Sequence, residues 1–421
     1  MTSPVLETTV DELVTLQNEK VFANKSAQLP YVGLEHIASG KPRLLGVAES
    51  SSSLSVNSVF QKDDILFGKL RPNLRKSLRA PFPGYCSTDI LVLRCMPGIM
   101  PTFAGHVFQW ERVFSAATAT AAGTKMPRTS WGDLKGLAVF FPESVAEQSR
   151  IAAILDAVDE AIFQTEAVLA KLKQIRTGLL HDLLTHGLDE NGKLRESAVH
   201  PEQFQDSILG RMPACWDITS VEQAGEVRLG RQRSPAHETG QHIRPYLRVA
   251  NVFDCFIDYS DVLSMNFNPH EQATYHLCAG DILLNEGQSL ELVGRSAIFE
   301  GPPDTYCFQN TLVRFRCNDT TIPEYSQAVF KYWLDTGAFT RIAKQTTSVA
   351  HLGADRFAKM PFPRPSLFEQ RLIADRLAEI AAMQKNESAE LCKLANIKAG
   401  LMCDLLTGRV RVPADLLDTR T

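Results

Sequence analysis

The sequence predicts an α+β protein in which two mixed α/β globular modules are separated by an antiparallel two-helix coiled-coil spacer. Residues 147–185 match residues 369–407 without a gap at 16 of 39 positions, which indicates an internal duplication. The stretch before each copy mixes short alternating apolar runs with Gly and Pro turns, a pattern typical of modules with many short strands. The chain is therefore predicted to repeat one module and one helix about a pseudo-twofold axis.

The repeated segments 147–185 and 369–407 are predicted to form long helices. Apolar residues recur through both at the spacing of a helix that packs along its length, and neither segment contains proline. At ~1.5 Å per residue, the 39 residues of each copy would extend about 58 Å. Ser144 and Ser366 stand three residues before Glu147 and Glu369, which is the spacing of a capping box at a helix start.

Polar and small residues interrupt these helical patterns. Glu387 and Glu390 fall on the apolar stripe of the second helix, so packing there is predicted to be loose or hydrated. Gly178 and Gly400 occupy equivalent positions in the two copies, although glycine costs a helix about 1 kcal/mol relative to alanine. Their repetition predicts either a close backbone approach or a docking surface.

The repeated helices define the predicted domain boundaries. We predict a first module at 1–146, a helix at 147–186, a polar linker at 187–209, a second module at 210–365, a helix at 366–408 and a tail at 409–421. The modules also echo each other, since DDILFGKLRP matches GDILLNEGQS and GYCSTDILVLRC matches TYCFQNTLVRFRC. The two modules are predicted to share a backbone fold while the residues that contact a ligand differ between them.

The composition is that of an ordinary globular protein, with 44% hydrophobic and 22% charged residues. No apolar run approaches the ~20 residues needed to cross a bilayer, so no membrane partner is expected. Nine cysteines without a CxxC pair argue against a zinc ribbon or a disulfide framework. Because the N-terminus shows no secretion signal, the expected compartment is the cytoplasm.

Catalytic patterns are largely missing from the sequence. The string GLDENGKL resembles a nucleotide-binding loop, but Leu194 stands where Ser or Thr would coordinate magnesium. Asp133 and Lys135 form an Asp-x-Lys pair that lacks the second acidic residue of a nuclease core. The histidines and cysteines show no metal-ligand spacing, and no amino-methyltransferase motif is present. We therefore expect a chain that is not an enzyme and binds no metal.

Asp64 and Asp281 occupy the same place in the two matching strand starts. A pair of carboxylates suggests acid–base catalysis. Because these two would lie in separate modules, we predict that each caps a turn instead.

A basic run marks the first module. GKLRPNLRKSLR contains five cations and no carboxylate, although the net charge of the chain is −4. Local patches govern phosphate binding more than the total charge does. The predicted phosphate contacts, for which an ordinary solvated surface is the alternative, are Lys69, Arg71, Arg75, Lys76 and Arg79.

Polar loops supply further candidates for nucleic-acid recognition. Small polar residues can approach base edges closely, and Arg and Gln can make bidentate contacts with guanine and adenine, whereas a plain connecting loop is the alternative. In the first module the loop GTKMPRTS provides Lys125, Arg128 and Thr129. The candidates of the second module are Arg228, Arg231, Gln232, Arg233, Asn285, Gln288, Thr346, Thr347, Ser348 and His351.

These patterns resemble the specificity subunits of type I restriction–modification systems. The resemblance is carried by EQ-x-x-I-A-x-x-L opening each long helix, G-L-x-x-D-L-L-T closing it, and the tail LLTGRVRV. DILFGKLRPNLRKS, GYCSTDILVLR and GDILLNEGQS followed by VGRSAIF support it along most of the chain. The sequence departs from the family pattern at MPACW, where IPxGW is usual before the second domain.

The resemblance implies that the modules are target-recognition domains for a bipartite, asymmetric DNA sequence. It implies double-stranded DNA, two modification subunits and two restriction (motor-nuclease) subunits as partners. S-adenosylmethionine, ATP and magnesium are expected on those subunits, and no cofactor is expected on this chain. The implied spacer and docking residues are Glu147, Gln148, Ile151, Leu155, Gly178, Leu179, Leu183, Glu369, Gln370, Ile373, Leu377, Gly400, Leu401 and Leu405.

Two other functions remain open at the level of the sequence. The chain could be a scaffold that presents two protein-binding modules on a coiled coil without contacting nucleic acid. It could also be a self-sufficient nuclease or methyltransferase, against which the missing motifs argue.

Overall fold

The computed structural model describes residues 5–22, 29–49, 56–234, 237–345 and 349–413 of the chain. Its internal contacts divide the chain into two compact units. Unit 1 comprises Met1–Val168 and Glu387–Thr421, and unit 2 comprises Leu169–Asn386. Each unit therefore contains one of the predicted modules together with part of each long helix.

The part of unit 1 before the first long helix consists of short strands and short helices. In chain order these elements are β1 (Val5–Thr9), α1 (Val10–Leu13), β2 (Val14–Gln17), β3 (Lys20–Phe22), β4 (Pro30–Val32), β5 (Ala48–Glu49), β6 (Val56–Phe60), β7 (Ile65–Gly68), β8 (Ser77–Arg79), β9 (Gly84–Ser87), β10 (Ile90–Cys95), α2 (Pro101–Val107), α3 (Glu111–Ala119), α4 (Trp131–Leu134) and β11 (Ala138–Pro142).

The long helix α5 (Val145–Thr185) follows and leads into unit 2. The next elements are β12 (Phe204–Ser207), β13 (Gly210–Pro213), β14 (Asp217–Ser220), α6 (Val221–Ala224), β15 (Gly225–Leu229), β16 (Ile243–Leu247), β17 (Leu263–Asn266), α7 (Pro269–Tyr275), β18 (Ile282–Asn285), β19 (Gly287–Gln288), β20 (Ser296–Ile298), β21 (Cys307–Phe308), β22 (Leu312–Cys317), α8 (Pro323–Asp335), α9 (Ala338–Ile342), β23 (Lys344–Gln345), β24 (Ala350–His351), α10 (Ala354–Ala358), β25 (Pro361–Arg364) and the second long helix, α11 (Leu367–Leu405).

The two units have the same strand order. In unit 1 the antiparallel order is β2-β10-β7-β8, and in unit 2 it is β15-β22-β18-β20. A parallel pair stands beside each of these sheets, β4 with β9 in unit 1 and β16 with β21 in unit 2. The mixed helix and strand content is confirmed, and the matched sequence strings occupy matching strands.

The two predicted long helices are confirmed as α5 and α11. In unit 1, Ile151 and Leu155 near the start of α5 share a buried cluster with Met402 and Leu405 near the end of α11. The residues that share a buried cluster in unit 2 are Leu180, Leu183 and Leu184 near the end of α5 and Ile373 near the start of α11. Within each unit, the start of one helix therefore packs with the end of the other. None of the helices in the described ranges combines enough length and apolar character to cross a membrane.

Packing is sparse in the middle of α11, as predicted. No side chain between Ile373 and Met402 is buried in this fully described helix. Glu387 is half-buried and Glu390 is exposed. Polar side chains therefore occupy part of the stripe, where they remain hydrated at low cost.

The segment predicted as a polar linker, 187–209, is instead packed into unit 2. Leu188 lies in the main apolar cluster of the unit. Phe204 is buried and begins β12, which pairs with β13. Sequence composition missed this because a few buried apolar residues among many polar ones are enough to hold a short hairpin against a core.

Asp64 and Asp281 cap turns, as predicted, and each also holds an arginine. The Asp64 carboxylate accepts from the amide of Gln61 at 2.8 Å, and Asp281 accepts from the amide of Cys278 at 2.8 Å. Each carboxylate also pairs in two-point fashion with an arginine on the neighbouring strand, at 2.6–2.8 Å. Hydrogen bonding to these carboxylates raises the pKa of both guanidinium groups. The arginines are Arg94 and Arg316.

We expect Arg316→Met to destabilise unit 2, because the Asp281 side chain is only 1% exposed and would lose its counter-ion. Breaking a buried pair by removing one partner costs on the order of 3–5 kcal/mol. Amide hydrogen exchange in β18 and β22 should accelerate accordingly, and the thermal midpoint of the chain should fall. The double variant Asp281→Asn with Arg316→Met is the control and should recover much of the loss, since no charge is left buried. Wild-type exchange rates in the single variant would contradict this account.

Candidate nucleic-acid interface

Two predicted loops of unit 1 lie side by side. Leu70 and Arg128 form an isolated antiparallel bridge. The Arg71 amide donates to the carbonyl of Pro127 at 2.7 Å, and the Thr129 amide donates to the carbonyl of Lys69 at 3.1 Å. We call residues 69–71 with 125–129 the basic loop pair. The sequence presented these loops separately, and the fold brings them together.

The basic loop pair carries positive charge that no carboxylate among the described residues neutralises. In the described part of the chain, Lys69, Arg71 and Lys125 have no carboxylate within 4 Å. Arg71 and Lys125 are exposed, and the Arg71 guanidinium donates to the Lys125 carbonyl at 3.4 Å. Arg128 differs because it pairs with Asp89 at 3.0 Å, and this hydrogen bond raises the pKa of the guanidinium. Three cations on adjoining loops therefore remain available to an anion.

The other predicted cations of the basic run already have partners. Arg75 pairs with Glu111 at 2.6 Å, and Arg79 pairs with Asp63 at 2.6 Å. The Lys76 ammonium donates to a backbone carbonyl at 2.6 Å. Their charges are neutralised or engaged internally, so these residues offer less to a phosphate than the count of cations in the run suggests.

Three predicted contact residues are buried, and the structure corrects them. Thr129 is 2% exposed, Arg231 is 7% exposed and Asn285 is 0% exposed. The Thr129 hydroxyl bonds another threonine hydroxyl. Arg231 pairs with Glu271 at 2.7 Å and lies over the ring of Phe267. The polar character of these residues suggested that they contact DNA. Their side chains instead make hydrogen bonds or ion pairs inside the unit.

Three further candidates of unit 2, Arg228, Gln232 and Arg233, are exposed, and Gln288 and His351 are half-buried. Arg228 pairs with Glu226 at 2.7 Å, and Arg233 pairs with Glu238 at 3.0 Å. Gln232 is exposed between them. Thr346, Thr347 and Ser348 lie outside the described residues. Exposed pairs of this kind contribute little to stability, so either arginine can exchange its carboxylate for another anion at low cost.

Unit 2 contains the counterpart of the basic loop pair, formed by β19 and β24. Gly287 and Gln288 pair with His351 and Ala350. The amide following His351 donates to the Glu286 carbonyl at 2.8 Å, as the amide following Arg128 does to the Lys69 carbonyl in unit 1. Glu286, which the sequence did not single out, pairs with His351 at 2.9 Å. The same backbone arrangement therefore has cations in unit 1 and a carboxylate, an amide and an imidazole in unit 2.

No metal site is evident near these loops. Within the described ranges, no group of three His, Cys, Asp or Glu side chains is placed to hold a metal ion.

The Glu-Gln pair that opens α5 is buried. Glu147 pairs in two-point fashion with Arg411, which follows α11, at 2.7 and 2.5 Å. The Gln148 side chain accepts from the amide of Met100 at 2.8 Å. It also donates to the carbonyls of Gly98 and Pro142 at 3.1 and 3.0 Å. The pair thus ties the helix start to the module and to the segment after α11.

The Glu-Gln pair that opens α11 repeats this arrangement in unit 2. Glu369 pairs with Arg195, which follows α5, at 2.6 Å, and accepts from the amide of Leu188 at 2.8 Å. Gln370 makes three backbone hydrogen bonds of 2.9–3.0 Å. Gly187 has φ +63°, and a Cβ there would lie 2.3 Å from the Glu369 carboxylate, so only glycine leaves room for this contact.

The predicted docking role of these four residues is therefore corrected. Glu147, Gln148, Glu369 and Gln370 are at most 5% exposed, so they hold their own unit together and cannot meet a partner. Of the two predicted capping boxes, only the one at α11 is half formed, because at α5 the Glu147 amide donates to the backbone carbonyl of Ser144 at 3.0 Å. The Ser366 hydroxyl accepts from the amide of Glu369 at 3.2 Å, but both glutamates turn to arginines instead of capping the helix.

The other spacer residues divide between core and surface. Of the predicted apolar set, some are buried and the rest are half-buried against the same clusters: Ile151, Leu155, Leu183, Ile373 and Leu405 are buried, and Leu179, Leu377 and Leu401 are half-buried. Gly178 and Gly400 are exposed, and a Cβ at either would meet no atom within 4 Å. The predicted close backbone approach is therefore wrong, and a docking surface stays a prediction.

The Glu147–Arg411 pair makes stability depend on pH. The hydrogen bond from Arg411 lowers the pKa of Glu147. A lowered folded-state pKa contributes stability above the unfolded pKa of about 4.3, and this contribution is lost as the pH falls through the folded pKa. Glu147→Gln should therefore lower the thermal midpoint by a few degrees near pH 7 and converge with wild type in acid. Glu143→Gln, which changes an exposed carboxylate close by, should show no such convergence. A difference that is the same at every pH would contradict this assignment.

Comparison with curated proteins finds relatives among restriction enzyme subunits. The putative type I restriction enzyme MjaX specificity subunit of Methanocaldococcus jannaschii is 26% identical over 209 residues, 49% of this chain and 49% of the relative. The type I restriction enzyme MjaVIII specificity subunit of the same organism is 22% identical over 306 residues, 69% of this chain and 66% of the relative. The chain thus spans about half the length of the first relative. No family model matches the chain.

Solved structures share the fold. A chain from a study of complex assembly and conformational transition in the type I R-M system has a TM-score of 0.61 and 17% identity, over 97% of this chain and 100% of that one. The type I restriction-modification system S subunit from M. genitalium has a TM-score of 0.56 and 15% identity, over 96% of both chains.

Proposed function

We propose that this chain, which resembles type I specificity subunits in sequence and in fold, is the sequence-specific DNA-recognition subunit of a type I restriction–modification complex. The observation that carries the proposal is the basic loop pair, where Lys69, Arg71 and Lys125 have no carboxylate partner in the described part of the chain. Cations that face a duplex displace its condensed counterions, which drives binding. The similarity to two named specificity subunits supports the same conclusion.

The proposed target is bipartite and asymmetric. The modules have the same strand order but different side chains on their loop pairs, which suits two unlike half-sites. The proposed spacer is an antiparallel coiled coil of α5 and α11, supported by the packing of each helix start with the other helix end within a unit. Twofold readers of DNA contact half-sites about 34–36 Å apart, and helices of about 40 residues are long enough for such spacing.

The chain is proposed to have no catalytic role of its own. Modification subunits that bind S-adenosylmethionine would dock on the spacer and methylate adenine. Motor-nuclease subunits that use ATP and magnesium would complete the restriction enzyme. The exposed Gly178 and Gly400 are the favoured docking positions, because nothing within their units explains a helix-weakening residue at both places. The complex would act on DNA in the cytoplasm.

A scaffold without nucleic-acid contacts is the alternative. A scaffold would not require cations that lack counter-ions, because the surfaces that bind other proteins are usually depleted in lysine. The two candidates differ in a direct observable, since only a DNA-recognition subunit binds duplexes with an affinity that falls steeply with salt.

We expect the double variant Lys69→Ala with Lys125→Ala to weaken binding of duplex DNA by the full chain. If both ammonium groups contact phosphates, the slope of log affinity against log salt concentration should become shallower by about 2, roughly 0.9 for each contact. The measurement is a fluorescence titration of one duplex at several salt concentrations. Random-sequence duplexes should lose affinity to the same extent, because phosphates carry no sequence information.

Lys62→Ala is the matched control for this titration. Lys62 is equally a surface lysine of unit 1, but it precedes β7, whereas the basic loop pair follows that strand. Its removal should leave the slope unchanged. Equal slopes for wild type and the double variant would remove the basic loop pair from the interface, and no salt-dependent binding by wild type with its modification subunits would favour the scaffold.

Gly178→Ala and Gly400→Ala test the docking positions. Each should stabilise the isolated chain by up to ~1 kcal/mol, because alanine favours a helix and its methyl group meets open space. If a modification subunit packs closely there, the same variants should bind that subunit more weakly in a calorimetric titration. The gain in thermal stability would show that the weaker binding does not come from misfolding. Unchanged affinity in both variants would place docking elsewhere on the chain.

A further inference from the structure

Arg71 and Gln288 occupy the same position in the two modules. β7 lies between β10 and β8, as β18 lies between β22 and β20. Arg71 comes three residues after the end of β7, and Gln288 comes three residues after the end of β18. The residue before each forms the bridge to the opposite loop, Leu70 in unit 1 and Gly287 in unit 2. The two residues therefore occupy equivalent positions after the same strand, although the backbone is left-handed at Arg71 and belongs to a strand at Gln288.

The structure holds the Arg71 backbone in place while leaving its side chain free of counter-ions. Its φ of 49° lies in the left-handed region, which a non-glycine residue rarely adopts. The Arg71 amide donates a hydrogen bond to the Pro127 carbonyl at 2.7 Å, which supports this conformation. The guanidinium makes a contact of 3.4 Å with the Lys125 carbonyl and pairs with no carboxylate within the described residues. Arg75, at the other end of the same turn, is also left-handed but pairs with Glu111.

The backbone of Gln288 is also held by the opposite loop, in this case by strand pairing. It pairs with Ala350 across β19 and β24. Its side-chain oxygen accepts from the amide of Ser289 at 3.1 Å, a contact within its own loop that a ligand can replace. The residue is half-buried, so part of it is accessible to a ligand.

The chemistry of these two residue types matches the two purines. The guanidinium fork donates two hydrogen bonds to O6 and N7 of guanine, and a glutamine amide donates to N7 and accepts from N6 of adenine. We infer that position 71 and position 288 are the equivalent base-reading positions of the two modules, Arg71 for a guanine and Gln288 for an adenine. The inference rests on the proposed function and adds which side chains determine specificity.

The residues next to positions 71 and 288 differ in charge between the two modules, which suggests different shares of phosphate contacts and base contacts. Beside Arg71, Lys69 and Lys125 supply charge for phosphates. The counterpart of Lys69 in unit 2 is Glu286, which pairs with His351 at 2.9 Å. At this loop pair, unit 2 therefore distinguishes bases by hydrogen bonding. It offers less positive charge to the DNA phosphates than unit 1 does.

Selection from a pool of random duplexes tests the inference. The full chain is purified with the modification subunits of its host, and the bound duplexes are sequenced for wild type, Arg71→Gln and Gln288→Arg. Arg71→Gln should lower the preference for guanine at one position of one half-site by on the order of tenfold or more, in favour of adenine. Gln288→Arg should make the reverse change at one position of the other half-site, and each variant should leave the opposite half-site unaltered.

Two further variants separate base reading from other effects. Arg112→Gln makes the same chemical change at an exposed arginine on α3 and should select the wild-type sequence. Arg71→Gly relieves the left-handed backbone and removes the guanidinium, so it should fold at least as stably as wild type and lose the guanine preference. A normal sequence selected by Arg71→Gly would show that Arg71 only shapes the turn, which overturns the inference.

The failure of the inference can be distinguished from the failure of the proposed function. If wild type selects a sequence and Arg71→Gln weakens binding to all sequences equally, Arg71 contacts a phosphate and the inference is wrong while the function stands. If wild type with its modification subunits selects no sequence at all, the proposed function is wrong and the inference falls with it.

Discussion

The architecture depends on two buried carboxylate–guanidinium pairs at the starts of the long helices. Glu147 holds Arg411 and Glu369 holds Arg195, and in both cases the arginine belongs to the segment that follows the other long helix. An ionised carboxylate is costly to bury unless it is paired and hydrogen-bonded. Each glutamate can therefore be buried at low cost only when the arginine that follows the other helix is in place. This requirement links the two helices to the module within a unit.

The duplicated modules keep their internal ion pairs and vary their loops. Asp64 with Arg94 and Asp281 with Arg316 fix the same strand pair in both units. These pairs connect the turn before the central strand to its neighbour, so the frame stays rigid while the loops beyond the other end of that strand change. A rigid frame with variable loops is the usual way in which binding residues are positioned. The difference between a loop pair that carries lysine and arginine and one that carries a carboxylate and an imidazole is therefore compatible with one fold.

Positive charge in this chain must be weighed against the carboxylates that the fold places beside it. Arg75, Arg79 and Arg128 all come from basic stretches of sequence, yet each has a carboxylate partner at 2.6–3.0 Å. Lys69 and Lys125 have no carboxylate partner in the described part of the chain, although they come from the same basic stretches of sequence. Within these two basic stretches, the exposed cations that lack a described carboxylate partner, Arg71 and Lys125, therefore lie where the two loops meet.

Sequence alone determined the features that depend on local periodicity and on repetition: the long helices α5 and α11, the matching strand starts with their turn-capping aspartates, and which loop of one module corresponds to which loop of the other. Tertiary structure alone decided which polar residues face solvent. Thr129, Arg231 and Asn285 are interior, and Glu147 is occupied by an arginine 264 positions away. The physical reason is that exposure and pairing depend on segments distant along the chain, which neither residue type nor spacing reveals.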